Sequence, residues 1–376
     1  MKSTPKTETL PDQPRIAPRA TADVVMVLRE MERDCEHVIS AERANFTVGS
    51  AETCDVRIID RHVSAHHCLL ARKGNRIRIV DQESHNGTYF GGRREKTFDI
   101  GPGDVFKVAG ISLLAMTEEM SAARSVLAEV VDTGASARTS VETVDWLLAS
   151  VMKGGHVLML GEPACDQERL ARAIHAASHR SYAPFRQSSA FPAERQEQRK
   201  MLDQARNSSL FFALRQDSTP PDEALRSMLL SADFCVRLLI SAPSLSVAVN
   251  CFGMDATSRM LQILICPIRE RASQVPVLLD RLLAEVDSPV KVSDLTNDNQ
   301  RALMAHSWPG NFVDLFEAAT RIRAIALAGS VRKAAESLRV PRSTLYYWLD
   351  RMMLTLPLDG KAAGVDSDGI PQILEP

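Results

Sequence analysis

Residues 330–351, SVRKAAESLRVPRSTLYYWLDR, have the pattern of two short helices joined by a tight turn. The apolar residues of the first half recur at helical spacing, and they are Val331, Ala334, Ala335 and Leu338. Pro341 suits the first turn of a second helix and favours an extended conformation at the residue before it. In that second helix Leu345 and Leu349 are four residues apart and face the core. The pattern therefore predicts a helix-turn-helix.

The remaining residues of the second predicted helix face away from this core, and they include Arg342, Ser343, Thr344, Tyr347 and Arg351. In a helix-turn-helix, such positions contact base edges and phosphates in the major groove of DNA. Residues 321–351 contain seven basic and two acidic residues, whereas the whole chain has a formal net charge of −2. This asymmetry is typical of a nucleic-acid-binding face, although an ordinary helical hairpin with solvated charges is the alternative. Arg342 is the candidate for a guanine contact, and the phosphate candidates are Arg332, Lys333 and Arg351.

The bulk composition restricts the class of protein. A length of 376 residues fits two or three domains, and 45% hydrophobic with 24% charged residues is typical of a globular chain. No apolar run approaches the roughly 20 residues that span a bilayer. The seven cysteines lie far apart without Cys-x-x-Cys spacing, which favours a reducing compartment over a disulfide framework or a zinc site. We therefore expect a cytoplasmic protein without a membrane segment, a metal or a cofactor.

Residues 24–116 consist of short alternating strands separated by turn signals such as Asn86-Gly87, which favours a β-sandwich. Three landmarks occur in order: Val48-Gly49, Ser64-x-x-His67, and Ser84-His85-Asn86-Gly87-Thr88. In that order and spacing they resemble the forkhead-associated (FHA) domain. This resemblance implies a sandwich that binds phosphothreonine peptides through loops at one end.

Carried over position by position, the resemblance implies a phosphate contact from Ser64, a peptide-backbone contact from Asn86 and a variable contact from His85. His67 and Gly87 are then structural. Ser50, however, stands where the family has a phosphate-binding arginine, and charge-assisted hydrogen bonds are about twice as strong as neutral ones. Nearby arginines could substitute, and they are Arg43, Arg57 and Arg61. A protein-interaction sandwich without phosphate dependence is the alternative.

Further along the chain, strands alternate with helices. A buried strand over residues 157–160 leads through Gly161-Glu162-Pro163-Ala164-Cys165-Asp166-Gln167-Glu168 into a helix, which is the context of a phosphate-binding loop. Trp308-Pro309-Gly310-Asn311 follows later. With the carboxy-terminal hairpin, these features resemble the AAA+ domain and the Fis-type helix-turn-helix of sigma-54-dependent transcriptional activators, the bacterial enhancer-binding proteins.

The catalytic parts of that family have no counterpart in this chain. Gln167 stands at the position of the phosphate-binding lysine, and Ala164 and Asp166 replace glycines of the loop. The strand that should end in Asp-Glu is followed by Ala213-Leu214, so a magnesium ion lacks its carboxylates. Residues 185–210 are too few to carry the sigma-contacting loop. We therefore expect Gly161, Glu162 and Gln167 to belong to a vestigial nucleotide loop in a domain without ATPase activity.

The sequence thus predicts a multidomain protein with an all-β FHA-like sandwich, an α/β AAA+-like domain with an α-helical lid, and an all-α Fis-type helix-turn-helix. The expected segments are a disordered tail over 1–22, the sandwich over 23–118, a linker over 119–139, the degenerate AAA+ core over 140–285, the lid over 286–320, the helix-turn-helix over 321–354, and a disordered tail over 355–376.

The expected function is sequence-specific transcriptional regulation, with double-stranded DNA and a (phospho)protein as partners and a homodimer or higher homo-oligomer as the assembly. Helix-turn-helix dimers read two-fold sites, which is the reason for expecting an oligomer. A phosphothreonine-binding interaction scaffold is one alternative. An ATP-dependent sigma-54 activator is the other.

Overall fold

The computed structural model describes residues 24–131 and 137–358. They form two compact units, of which the first comprises residues 24–125, 137–154 and 173–185, and the second residues 126–131, 155–172 and 186–358. The tail predicted over 1–22 lies outside the described residues, as do residues 359–376 of the tail predicted at the other end. Within the described segments no helix has the length and apolarity needed to cross a lipid bilayer.

Two sheets make up the β-sandwich of the first unit. The six-stranded sheet has the order β2-β1-β11-β10-β7-β8, and the five-stranded sheet has the order β4-β3-β5-β6-β9. Their strands are β1 (Val27–Glu30), β2 (Cys35–Val38), β3 (Asn45–Gly49), β4 (Val56–Arg57), β5 (Cys68–Lys73), β6 (Arg76–Asp81), β7 (Thr88–Phe90), β8 (Arg93–Arg94), β9 (Thr97–Ile100), β10 (Val105–Val108) and β11 (Ile111–Met116). Alternation along β6 buries Ile77 and Ile79 in the core between the sheets.

Most of the segment predicted as a linker is helical. Helix α1 (Glu118–Val130) and helix α2 (Ala137–Met152) occupy it, and α2 continues past the predicted end of the linker at 139. The apolar residues of α1 recur three or four residues apart and are buried: Met120, Ala123, Leu127 and Val130. This amphipathic periodicity favours a helix, and the linker prediction overlooked it.

Buried ion pairs fix α2 to the sandwich. Arg29 of β1, with a side chain only 3% exposed, donates from Nε to the carboxylate of Asp145 at 2.8 Å, and Arg124 of α1 also pairs with Asp145. The other nitrogens of Arg29 pair with Asp34 at 2.8 Å and Glu36 at 3.0 Å. Asp145 is fully buried, and burial raises the pKa of its carboxyl even though two guanidinium groups oppose the shift.

The second unit contains a five-stranded parallel sheet with the order β13-β14-β15-β12-β16. Its strands are β12 (Val157–Leu160), β13 (Arg186–Ser188), β14 (Ser209–Ala213), β15 (Arg237–Ala242) and β16 (Leu261–Leu264). Every residue of β15 is buried, as expected for an inner parallel strand. The helices around the sheet are α3 (Gln167–Ala177), α4 (Arg195–Ala205), α5 (Glu223–Leu230), α6 (Leu245–Phe252) and α7 (Met254–Ser258), with a short 3-10 helix at Ala232–Phe234.

The lid and the predicted helix-turn-helix share one apolar core that extends from Ile268 to Leu358. Its helices are α8 (Val275–Glu285), α9 (Asn297–Ala305), α10 (Phe312–Ala328), α11 (Val331–Leu338) and α12 (Arg342–Arg351), with 3-10 helices at Ile268–Gln274 and Val292–Asp294. The boundaries expected at 286 and 321 are therefore not the physical ones. The lid core begins near Ile268, and α10 crosses position 321 without a break.

Order also continues past the expected end of the helix-turn-helix at 354. The buried side chain of Asn299 in α9 donates to the carbonyl of Thr355 at 2.8 Å and accepts from its backbone N–H at 2.8 Å. Leu358 is buried in the shared core. The predicted tail over 355–376 therefore begins with residues that are held in place by hydrogen bonds and apolar contacts.

Candidate functional site

The predicted peptide contacts lie in loops at one end of the sandwich. Ser64 lies between β4 and β5, and His85 and Asn86 lie between β6 and β7. The Ser64 hydroxyl accepts a hydrogen bond from the backbone N–H of His85 at 3.2 Å. Asn86 Nδ2 donates to the carbonyl of His62 at 2.7 Å. The structure thus brings the three predicted residues together, with His85 exposed and the other two half-buried.

His67 holds the two loops in register. Its Nδ1 accepts from the backbone N–H of Ser64 at 3.2 Å, so the proton of the neutral ring lies on Nε2, which donates to the carbonyl of Gly87 at 3.1 Å. Gly87 has a φ of +78°, a conformation that glycine adopts without strain. Burial lowers the pKa of His67, because desolvation disfavours the imidazolium. These contacts are those of a structural residue.

Ser50 supplies no charge to this site. Its hydroxyl donates to the carbonyl of Val63 at 3.0 Å. Two of the arginines considered as substitutes have acidic partners: Arg43 pairs with Asp55 at 2.6 Å, and Arg57 pairs with Glu52 at 3.2 Å.

Arg61 lies in the same loop as Ser64, and its Nε donates to the neighbouring imidazole of His62 at 3.0 Å. Within the described part of the chain no carboxylate forms an ion pair with Arg61. Arg61 is also exposed. It is therefore the arginine best placed to meet an anionic ligand at this end of the sandwich.

The loop after β12 has two residues with positive φ, and the side chain of Gln167 fills its interior. Ala164 and Asp166, which replace glycines, have φ values of +58° and +74°. The side chain of Gln167 is 6% exposed and turns back into the loop. Its Oε1 accepts from the backbone N–H of Cys165 at 2.9 Å, and its Nε2 donates to the carbonyl of Glu162 at 2.6 Å.

Asp166 has cationic partners that the sequence analysis missed. Its carboxylate pairs with Arg169 of α3 at 2.5 Å and with Arg281 of α8 at 3.0 Å. Both arginines also pair with Glu129 of α1. The charge of Asp166 is therefore balanced by cations of the same unit. Arg281 comes from a helix 115 positions away, and no local motif signals that contact.

Further contacts join this loop to the lid. Asn311 Nδ2 donates to a carboxylate oxygen of Glu162 and to the carbonyl of Pro163, both at 3.2 Å. The backbone N–H of Phe312 donates to the carbonyl of Ala164 at 2.9 Å. Glu162 also pairs with Arg269 at 2.6 Å, and Arg269 together with Asn311 lowers the pKa of this carboxyl.

A cleft of about 710 Å³ lies at the carboxyl ends of β12, β14 and β15, where ligands bind in open α/β sheets. Gln167, Ala213, Leu214 and Pro243 are among its lining residues. Asp217, four residues beyond the end of β14, lines the same cleft.

The residues predicted to form a helix-turn-helix form two helices, α11 and α12. Arg339 ends α11 in a left-handed conformation, and Pro341 caps α12, which begins at Arg342, one residue later than expected from a first-turn proline. The predicted inward residues of α12, Leu345 and Leu349, are buried. Trp348 is also buried, although the helical spacing of the leucines did not assign it to the core. The guanidinium of Arg321 lies 5.3 Å from the centre of its ring.

All seven predicted DNA contacts are exposed: Arg332, Lys333, Arg342, Ser343, Thr344, Tyr347 and Arg351. These seven residues differ in their contacts and in the charge of their neighbours. Arg342 lies over the ring of Tyr346 at 5.2 Å and donates to its hydroxyl at 3.2 Å. A cavity of about 230 Å³ lies between α10 and α12. Its lining includes Thr344, Tyr347 and Arg351 of α12 and the acidic residues Asp314 and Glu317 of α10.

Comparison with known proteins assigns part of the chain. A family model for the FHA domain matches residues 46–109. Over 225 residues the chain is 25% identical to the Nif-specific regulatory protein of Azotobacter vinelandii, and this alignment covers 48% of the chain and 42% of that protein. The chain thus spans less than half the length of this curated relative.

Two solved structures are also similar. EmbR of Mycobacterium tuberculosis, determined in complex with a low affinity phosphopeptide, is 20% identical, with 24% of each chain covered and a TM-score of 0.23. NtrX of Brucella abortus, determined in complex with ADP, is 16% identical, with 56% of this chain and 68% of that chain covered and a TM-score of 0.40. The amino-terminal sandwich is therefore an FHA domain by its family match and its own topology.

The buried imidazole of His67 makes the stability of the sandwich depend on pH. The pKa of His67 lies below its ordinary value of 6.5, so the unfolded chain binds the proton first. The contribution of the neutral His67 imidazole to the free energy of unfolding is complete above pH 6.5. This contribution is lost as the pH falls through the pKa of His67 in the folded state. We expect the unfolding temperature measured by circular dichroism to decrease over this range in the wild type and to decrease less in His67→Gln. His85→Gln, which changes an exposed imidazole, is the control. Equal slopes in all three proteins would contradict the assignment.

Proposed function

We propose that this protein is a sequence-specific DNA-binding transcriptional regulator, similar to sigma-54-dependent activators in architecture but without their ATP-driven step. One observation carries the proposal: α12 presents its polar and basic face to solvent, while Leu345, Trp348 and Leu349 bury its other face. A helix held in this way can enter a major groove without loss of its core packing.

The charge distribution supports DNA over an ordinary solvated hairpin. On α11 and α12 the basic residues Arg332, Lys333, Arg342 and Arg351 outnumber the acidic Glu336 and Asp350. Arg332 is the one residue of the predicted set that forms an ion pair within the described residues, with Glu336 at 3.3 Å. Exposed pairs of this kind contribute little stability and open readily. The remaining guanidinium and ammonium groups are thus available to phosphates.

We assign separate roles to the exposed residues. Arg342, in the first turn of α12, is the candidate for a bidentate guanine contact, and Ser343, Thr344 and Tyr347 are its neighbours. Arg332, Lys333 and Arg351 are assigned to phosphates. A helix-turn-helix of this kind reads one half-site, so we propose a two-fold target and a homodimer or higher homo-oligomer.

The FHA domain is proposed as the input module. Ser64, His85 and Asn86 converge at the loop end, and Arg61 supplies a guanidinium in place of the arginine that Ser50 replaces. We propose a phosphothreonine segment of a partner protein as the ligand. The competing function is that of an interaction domain that does not require phosphate. Such a domain would use the same loops, and Arg61 would have no role in it.

The α/β domain is proposed as a scaffold. Gln167 occupies the loop interior with both polar atoms of its amide hydrogen-bonded. Arg169 and Arg281, two cations beside the loop, are already paired with Asp166. Contacts from Asn311, Phe312 and Arg269 already join the loop to the lid. The second candidate, an ATP-driven sigma-54 activator, is favoured only by the cleft that remains beside this loop and by Asp217 in its lining.

Binding to DNA can be tested with a duplex selected from a random pool by the intact protein. Arg342→Ala should lower affinity for the selected site by about 1–3 kcal/mol and relax specificity, whereas Arg332→Ala should weaken selected and unrelated duplexes equally. Arg301→Ala, an exposed change on α9, is the control and should have no effect. Gel-shift titrations at several salt concentrations provide the measurement. Absence of binding to any duplex, even at low salt, would refute the proposal.

Phosphate dependence can be tested with paired peptides from a degenerate library. We expect the phosphothreonine peptides to bind at least tenfold more tightly than threonine peptides, and Ser64→Ala and Arg61→Ala to remove most of this difference (about 1.4 kcal/mol per tenfold). Arg76→Ala, at the opposite end of β6 from the loop, is the control. Fluorescence anisotropy is the readout. Equal affinity for both peptide forms would favour the phosphate-independent interaction domain.

The proposal that the α/β domain no longer binds nucleotide leads to two measurable predictions. Mg-ATP should not raise the unfolding temperature of the purified protein, since a ligand that binds the native state would stabilise it. Gln167→Ala should lower the free energy of unfolding by about 1–3 kcal/mol because it leaves buried loop groups unpaired, whereas the exposed Gln216→Ala should be nearly neutral. Thermal shift and urea titrations measure both. Phosphate release from ATP above that of heat-inactivated protein would revive the enzymatic alternative.

A further inference from the structure

A cluster of three potential metal ligands lies on the hairpin formed by β1 and β2. Glu30 is opposite Cys35 in the antiparallel register, and His37 follows Cys35 by two residues, so all three side chains project from the same face. The carboxylate oxygen, the thiol sulfur and the imidazole nitrogen all lie within 4.8 Å of one another. We propose that Glu30, Cys35 and His37 bind a Zn²⁺ ion.

The distances among these atoms suit a single ion. His37 Nε2 lies 2.9 Å from Glu30 Oε1 and 3.8 Å from Cys35 Sγ. Ligand atoms bound to one tetrahedral zinc are roughly 3.5 Å apart, given metal–ligand distances of about 2.0–2.3 Å. Small side-chain adjustments are therefore sufficient to place the three donors around one centre.

The geometry favours a metal over a catalytic triad. In a triad the imidazole contacts the nucleophile through one ring nitrogen and the carboxylate through the other. Here the thiol and the carboxylate both approach Nε2, so the three donors converge on one point.

The donor set is appropriate for zinc. Thiolate, imidazole and carboxylate are its usual ligands, and three protein ligands leave the fourth position for water or for an external ligand. The carboxylate of Glu30 is 3% exposed, and its second oxygen accepts from Arg33 at 3.3 Å, which leaves Oε1 directed at the cluster. An outer partner of this kind orients a ligand and tunes its affinity.

Solvent can reach the cluster. Strand β2 is the edge strand of its sheet, and Cys35 and His37 are partly exposed. On the intervening position, Glu36 pairs with Arg29, whose guanidinium also binds Asp145. The proposed metal ligands therefore lie on one face of the β1–β2 hairpin, and the ion pairs that fix α2 lie on its opposite face.

The test uses the full chain, kept reduced and freed of metal with a chelator, then titrated with Co²⁺ as a spectroscopic substitute for Zn²⁺. We expect visible bands of a four-coordinate ion and a near-ultraviolet sulfur-to-metal band, both displaced by Zn²⁺. Cys35→Ser should abolish the sulfur band, and His37→Gln should weaken binding at least tenfold, since even outer-shell changes cost about 10–100-fold. Cys235→Ser, which alters an exposed cysteine elsewhere, should leave the spectrum unchanged.

A second readout separates binding from misfolding. In the wild type, Zn²⁺ should slow the alkylation of Cys35 at least tenfold, measured by mass spectrometry of the peptide that contains it, while the rate at Cys235 stays constant. The variants should retain the wild-type circular dichroism spectrum. A sulfur band that persists in Cys35→Ser, an unchanged alkylation rate, or no binding at equimolar metal would overturn the proposal and leave Glu30 and His37 as a hydrogen-bonded pair.

Discussion

The burial of α10 is the constraint on which the carboxy-terminal half of the protein depends. This helix begins beside the loop that follows β12 and ends at Ala328, shortly before α11, the first helix of the carboxy-terminal hairpin. Its inner face contributes Leu315, Ile322 and Ile325 to a core that also contains residues of α8 and α12. The hairpin therefore has no flexible connection to the lid, and its orientation is set by the packing of α10.

The loop after β12 is held by contacts with other parts of its own chain. Its positive-φ positions persist at Ala164 and Asp166 even though a left-handed conformation is unfavourable for residues with a side chain. Compensation comes from the surroundings: Gln167 bonds to the loop backbone, and Arg281 neutralises Asp166. Contacts within the chain thus stabilise the conformation of this loop.

Sequence reasoning succeeded where the determining interactions are local. The spacing of Leu345 and Leu349 follows the helical period, and the FHA motifs place Ser64 and Asn86 in loops that the sheet order brings together. It failed where partners come from distant elements. No pattern around Asp166 indicates Arg281, and no pattern in α12 shows that Thr344 and Arg351 border an acidic part of α10. The donors of the β1–β2 hairpin escaped notice because cross-strand pairing, and not a spacing motif, brings Glu30 beside Cys35.

The buried carboxylate of Asp145 has an evolutionary consequence. Its partner Arg29 belongs to the sandwich, so a genetic exchange that moved the sandwich without α2 would remove the buried carboxylate from Arg29 and leave Asp34 and Glu36 as its partners. Breaking a buried ion pair in this way costs about 3–5 kcal/mol, a large share of the stability of a small domain. The unit of inheritance in this lineage should therefore be the sandwich together with its helix, with recombination boundaries after residue 152.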